Sequence, residues 1–176
     1  MFRTMRAALA VGASIAALAG GATTAYADPA DTSSYVRLRA EHSDKCLTIE
    51  SARIGEGANA VQQSCADDLD NQLFGLKSVG SGTLSVRAKH SGRCLGAGQS
   101  TDWDVQQLWC ADDSSSQRWR VMLVEVGKGL YELRPVDALE YCLTIPGYSQ
   151  DEGAKASIYS CNGASSQRWR MVPASS

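Results

Sequence analysis

Hydrophobic and polar residues alternate with a period of two in two well separated stretches of the chain. Val36, Leu38 and Ala40 alternate with Arg37 and Arg39, and Leu84, Val86 and Ala88 alternate with Ser85, Arg87 and Lys89. Successive side chains of a strand point to opposite faces, so the pattern predicts half-buried strands with their charge outside. The runs "KCLTIE", "AVQQSC" and "QLFGLKSV" predict further short strands. Clusters of Gly, Asp, Asn and Ser separate them, and these residues favour turns. Outside the first residues, no window of helical length keeps a 3.6-residue apolar stripe. The chain is predicted to be all-β.

The strand pattern recurs because the sequence itself does. Cys46, Cys94 and Cys142 each open a "CL" dipeptide at intervals of 48 residues, and a second cysteine follows each at Cys65, Cys110 and Cys161. A Gln-x-aromatic triplet comes next, as "QLF" at Gln72, "QRW" at Gln117 and "QRW" at Gln167; the last two lie within identical hexapeptides, "SSQRWR". The segments ahead of the first cysteines also correspond: "VRLRAEHSDKC", "LSVRAKHSGRC" and "YELRPVDALEYC". These landmarks divide residues 35–173 into units at approximately 35–79, 82–127 and 130–173. One such unit cannot bury its apolar face alone, so three units of four strands are expected to share one core with threefold pseudosymmetry.

The front of the chain belongs to none of these units. Arg3 and Arg6 precede an uncharged run from Ala7 to Gly21, and "AYA" at Ala25–Ala27 offers small residues at a cleavage spacing. Residues 1–27 therefore read as a secretory signal peptide, followed by a short linker at 28–34. The apolar run is short of the ~20 residues that span a bilayer, so no membrane association is expected after cleavage. Removing the two arginines leaves 15 basic and 19 acidic residues, dispersed along the chain, with no cationic cluster for a nucleic acid. All six cysteines lie beyond the signal. In an exported protein an even number argues for disulfides, and there is neither a CxxC pair nor a pair of neighbouring histidines to suggest a metal. No cofactor is expected.

Three tandem units, each with a "CL" strand, a second cysteine and a QxW-type triplet, resemble the ricin B-type lectin family. That resemblance implies a β-trefoil over nearly the whole exported chain. It implies disulfides within each unit, Cys46 with Cys65, Cys94 with Cys110 and Cys142 with Cys161. Each closes a loop of under about twenty residues, worth roughly 3 kcal/mol by chain entropy. It also implies that Trp119 and Trp169 fill the shared core, with Phe74 as a smaller plug, and that each Gln ties down backbone in its own unit. Buried aromatic rings suit that place.

Sugar sites in the resembling family use an Asp two places after the first cysteine and an aromatic two before the second. A polar residue four before the second cysteine and an Asn ahead of QxW complete the set. The first unit has Thr48, Gln63, Val61 and Asn71 at these places, the second Gly96, Leu108, Gln106 and Ser116, and the third Thr144, Tyr159, Ser157 and Ser166. Only the third keeps the aromatic. Tyr159 is thus the expected platform, with Thr144, Ser157 and Asp151 as hydrogen-bonding candidates and Gln167 holding backbone; Tyr141, Tyr148 and Glu152 lie in or beside the same loop. Trp103, in the shorter loop of the second unit between Asp102 and Asp104, is the rival platform. A site that binds at about 1 mM has only about 4 kcal/mol in total, and a hydrogen bond to a charged acceptor contributes roughly 1.5–3 of that. The missing Asp therefore weakens any such site by about ten- to a hundredfold, unless a loop carboxylate such as Asp151 substitutes.

These features predict a secreted, monomeric, non-catalytic carbohydrate-binding protein. The alternative is a β-trefoil scaffold that has lost its sugar site and binds or inhibits a protein. An enzyme is disfavoured. The carboxylate pairs Asp67–Asp68 and Asp112–Asp113 sit in repeated "CADD" turns rather than across a cleft, and His42 and His90 hold equivalent positions four before a "CL" cysteine, as marks of symmetry.

Overall fold

The computed structural model describes residues 35–98 and 103–174. The expected signal segment and linker lie outside the described residues. Within them, each repeat forms four strands. The first unit contributes β1 (Val36–Ala40), β2 (Cys46–Ile49), β3 (Ala58–Gln63) and β4 (Phe74–Ser78). The second contributes β5 (Leu84–Ala88), β6 (Cys94–Ala97), β7 (Val105–Leu108) and β8 (Trp119–Glu125). The third contributes β9 (Leu130–Pro135), β10 (Tyr141–Thr144), β11 (Ser157–Ser160) and β12 (Trp169–Pro173).

The first and last strands of the units close a six-stranded antiparallel barrel. β1 pairs with β4, β4 with β5, β5 with β8, β8 with β9, β9 with β12, and β12 with β1. The middle strands form three hairpins, β2–β3, β6–β7 and β10–β11. A closed barrel leaves no unpaired edge, and three hairpins repeated about one axis make the architecture a β-trefoil.

Each Gln-x-aromatic triplet opens the last strand of its unit and sends its ring into the common core. Phe74, Trp119 and Trp169 are at most 1% exposed, packed with Leu38, Leu47, Val86, Leu95, Leu133 and Leu143. A buried indole needs an acceptor, and Trp119 Nε1 donates to Leu95 O and Trp169 Nε1 to Leu143 O, each at 3.0 Å. The three glutamines do one job. Gln72 accepts from Ala66 N and donates to Ser64 O, Gln117 from Ala111 N and to Trp109 O, Gln167 from Asn162 N and to Ser160 O. Each thereby pins the segment beside its unit's second cysteine. The disulfides are Cys46–Cys65, Cys94–Cys110 and Cys142–Cys161, so all six cysteines are paired within their own units.

One prediction of the alternation changes. Arg37, placed outside by the period of two, is 6% exposed, and its guanidinium donates to Ala66 O and Asp67 O at 3.2 and 2.9 Å. The loop after Cys65 covers it, and carbonyl oxygens replace the water it gives up.

The connection after each "CL" strand crosses onto the next unit, and two of these three seams use one latch. The third unit's loop lies on the first: Gln62 Nε2 donates to Ser149 O and Asp151 O, Ser43 Oγ donates to Gln62 Oε1, and His42 Nε2 lies 3.0 Å from Ser149 O. The first unit's loop lies on the second in the same way. Gln107 Nε2 donates to Arg53 O and Gly55 O, Ser91 Oγ donates to Gln107 Oε1, and His90 Nε2 lies 3.0 Å from Arg53 O. The equivalent positions of the third unit are Ala138, Leu139 and Ile158, none of which can form the latch. There Trp103 stacks on Tyr141 instead, with centroids 5.3 Å apart and planes 8° from parallel, while Ile158 N donates to Trp103 O at 3.0 Å.

Candidate functional site

The hairpin of the third unit opens a pocket of about 320 Å³, lined by Thr144, Tyr148, Tyr159, Asn162, Ser166 and Gln167 with Pro146, Gly147 and Ala164. Tyr159 opposes Cys142 across the β10–β11 ladder and is 64% exposed. Tyr148 is 55% exposed and follows Gly147 in a short 3-10 turn where both residues take positive φ, 64° and 54°. Glycine takes that conformation without strain, whereas a tyrosine does not, so the surrounding contacts must hold it. One of them is the edge-on approach of the His42 ring, 6.4 Å away from the first unit. The polar floor is nearly covered: Thr144 is 3% and Ser166 5% exposed, with Thr144 Oγ1 3.3 Å from Ser166 O. Asn162 is exposed, and its Oδ1 accepts Ala164 N, which leaves its NH₂ to donate outward.

The other hairpins differ at the equivalent place. In the second unit a Cβ on Gly96 would lie 2.5 Å from Leu108 Cδ1, so Leu108 occupies the space that a side chain there would need. In the first, Thr48 is fully buried with its hydroxyl turned back to Cys46 O, and Asn71 Nδ2 donates to Ile49 O at 2.8 Å. That amide is committed to its own backbone.

Of the residues singled out by sequence, the structure brings Tyr159, Thr144 and Gln167 to one pocket. Ser157 lies opposite Thr144 on β11, buried, and is not among the lining residues. Asp151 belongs to the latch with the first unit: its backbone carbonyl accepts Gln62, and its carboxylate accepts Ser149 Oγ at 3.2 Å. None of the lining residues bears a carboxylate. Trp103, 45% exposed, belongs to the seam with the third unit rather than to a site within the second. Sequence reasoning noted Tyr148 only as a neighbour and passed over Asn162, which follows a cysteine at a place with no pattern attached. The Pro146-Gly147-Tyr148 turn was the available signal for Tyr148.

Electrostatics concentrate at the latch. Glu152 accepts hydrogen bonds from Lys45 and from Ser64 Oγ and N, the latter two at 2.6 and 2.8 Å. These donors hold its carboxyl down at about 2, from an ordinary value of 4.5. Asp67, Asp68, Asp112 and Asp113 are exposed turn residues, and Asp112 pairs with Lys77 at 3.0 Å. Glu132 lies beside the Cys142–Cys161 bond, whose sulfurs are committed to each other, so this trio offers a cation a single carboxylate. No helix among the described residues is long and apolar enough to cross a membrane.

Comparison with known proteins agrees with this geometry. The family described as Ricin-type beta-trefoil lectin domain matches residues 34–131, and a second, described as Ricin-type beta-trefoil lectin domain-like, matches residues 115–176. The chain belongs to the ricin-type β-trefoil lectin family. Among solved structures, the designed threefold-symmetric protein ThreeFoil is 34% identical with a TM-score of 0.71, the alignment covering 78% of this chain and 97% of that one. The earthworm R-type lectin C-half, solved in complex with GalNAc, is 16% identical with a TM-score of 0.65, over 80% of this lectin-family chain and 98% of its own. The Macrolepiota procera ricin B-like lectin, solved in complex with lactose, is 15% identical with a TM-score of 0.65, over 80% and 95%. An exo-β-1,3-galactanase from Clostridium thermocellum matches over 81% of this chain but only 31% of its own, as part of a longer protein. No curated protein matches the chain.

Proposed function

We propose that this family member is a secreted, non-catalytic carbohydrate-binding protein whose glycan sits in the third-unit pocket. The observation that carries the reading is the pairing of two exposed tyrosines, Tyr148 and Tyr159, with a floor of hydroxyls and amides from Thr144, Asn162 and Ser166. A pyranose presents a flat C–H face and several hydroxyls, and this pocket offers an aromatic surface for the first and neutral donors and acceptors for the second. Export follows from the leader-like residues 1–27 and agrees with the disulfides. Lectin-family membership and the sugar complexes of two structural neighbours support the ligand class.

With no carboxylate in the pocket, each polar contact is a neutral hydrogen bond worth about 0.5–1.5 kcal/mol. The site is therefore weak, near the millimolar range. Leu108 fills the second hairpin and the first has Gln63 where the third has Tyr159, so among the described residues little avidity is gained. Glycan-array and insoluble-polysaccharide binding test the proposal. Tyr159→Ala and Tyr148→Ala, each with an unchanged melting curve, are expected to weaken binding by about tenfold or more. If the parent binds no glycan, the protein-binding scaffold replaces this reading.

A further inference from the structure

The aromatic seam encloses a second pocket, of about 380 Å³, lined by Ala97, Gly98, Trp103, Asp137, Ala138, Glu140, Tyr141 and Ile158. We propose that it is a separate ligand site for an amino sugar carrying a free ammonium group. The sugar part of this assignment rests on the carbohydrate-binding reading above; the charge part rests on the seam alone.

The cavity exists because the third seam lacks its latch. In the other two, histidine, serine and glutamine side chains fill the space between the units and hold the incoming loop by its carbonyls. Here Ala138 and Ile158 supply no latch side chain, and the loop is three residues shorter. Backbone and charge contacts cross this seam instead: Ile158 N donates to Trp103 O at 3.0 Å, Val105 N donates to Ala156 O at 2.9 Å, and Lys155 pairs with Asp104 at 2.8 Å. Trp103 and Tyr141 form one wall as a stacked pair, with Trp103 45% exposed.

The chemistry of the lining differs from that of the third-unit pocket in one respect. Two exposed carboxylates, Asp137 and Glu140, border the aromatic wall. Ser115 Oγ donates to Asp137 Oδ2 at 3.0 Å, which orients that group and leaves Oδ1 to accept. A cation is attracted both to the face of a tryptophan and to carboxylates, and a charge-assisted hydrogen bond is about twice as strong as a neutral one. An ammonium-bearing pyranose fits both parts: its ring fills a cavity of this size against the aromatic wall, and its nitrogen meets the carboxylates. An N-acetylated sugar has the ring without the charge. A lysine side chain has the charge without the ring.

Titration calorimetry on the full chain with a short glucosamine oligomer, its N-acetylated counterpart and a short lysine oligomer tests the assignment. The glucosamine oligomer is expected to bind more tightly than the other two, and to lose affinity as salt rises. Trp103→Ala and the double variant Asp137→Asn with Glu140→Gln are each expected to weaken it about tenfold and Trp103→Phe to preserve it, and the Trp103-dependent binding is expected to persist in a Tyr159→Ala background. The carboxylate changes are on the surface and should not disturb folding. No binding of the glucosamine oligomer, equal affinity in the double variant, or equal binding of the lysine oligomer with the same dependence on the seam overturns the proposal. The two sites fail separately. Neutral glycans that bind through Tyr159 while glucosamine does not bind refute only the seam site. Glucosamine that binds through Trp103 while neutral glycans do not bind refutes only the third-unit site.

Discussion

The seam that lays the third unit's loop on the first and the seam that lays the first unit's loop on the second are built from the same three side chains, His42, Ser43 and Gln62 in one and His90, Ser91 and Gln107 in the other. The remaining seam replaces all three with Ala138, Leu139 and Ile158 and stacks Trp103 on Tyr141. What differs is how many units each feature must satisfy. Phe74, Trp119 and Trp169 meet in one core, so a change in any of them is felt by all three units. A seam involves two units only, and its polar latch can be exchanged for an aromatic contact without disturbing the barrel. The asymmetry therefore accumulates at the seams and hairpins, while the centre keeps its repeat.

The largest test of that division is at the centre. Trp119→Ala and Trp169→Ala are each expected to cost about 3–5 kcal/mol in denaturant unfolding, a large share of a domain's usual 5–15. Similar losses at the two sites confirm an equivalent core role, and a parent-like melt for either places that ring outside the core. Next come the latches. Gln62→Ala and Gln107→Ala each remove the amide shared by two loop carbonyls, leaving Asp151 O or Gly55 O without its donor while the histidine stays on the other, for an expected loss of about 1–3 kcal/mol apiece. The reverse change, Ile158→Gln, buries an amide where the latch has no counterpart and is expected to destabilise by about 1–3 kcal/mol as well. If it stabilises instead, the third seam retains a hidden latch and the contrast between the seams collapses.

The smallest effect sharpens the comparison through pH. Glu152 is held at about 2, below its ordinary 4.5, by Lys45 and Ser64. A carboxylate lowered in this way stabilises the fold above about 4.5, and that contribution disappears as the pH falls toward about 2. Glu152→Gln is therefore expected to melt below the parent at neutral pH, with the gap closing through that window. The gap should be small, because the group is solvent-exposed and screened. Glu56 takes the equivalent place on the second unit, where it accepts Trp109 N at 3.5 Å.

The repeat made the fold legible. Equal cysteine spacing, alternation before each "CL" and a triplet ending each unit leave few ways to satisfy three identical apolar faces except around one axis. Burial of Trp119 and Trp169 was implied by the resemblance to the ricin B-type family. The third-unit pocket was legible in part, because Tyr159 and Thr144 stand at fixed offsets from cysteines. Tyr148 depends on a left-handed turn and on His42 from another unit, which no local pattern reports.

Local chemistry, then, was enough for the strands and the units, which repeat at a distance along the chain that the residues themselves display, while the resemblance supplied the core aromatics and the cysteine pairing. Whatever depends on two units meeting needed the assembled barrel. Arg37 under the loop after Cys65, Leu108 closing its own hairpin over Gly96, Asp151 drawn into a latch and Trp103 laid on Tyr141 are outcomes of packing between segments that the linear order does not bring together. Side chains at such places are chosen by the space and partners their neighbours leave, and that space exists only after the three units have closed on one another.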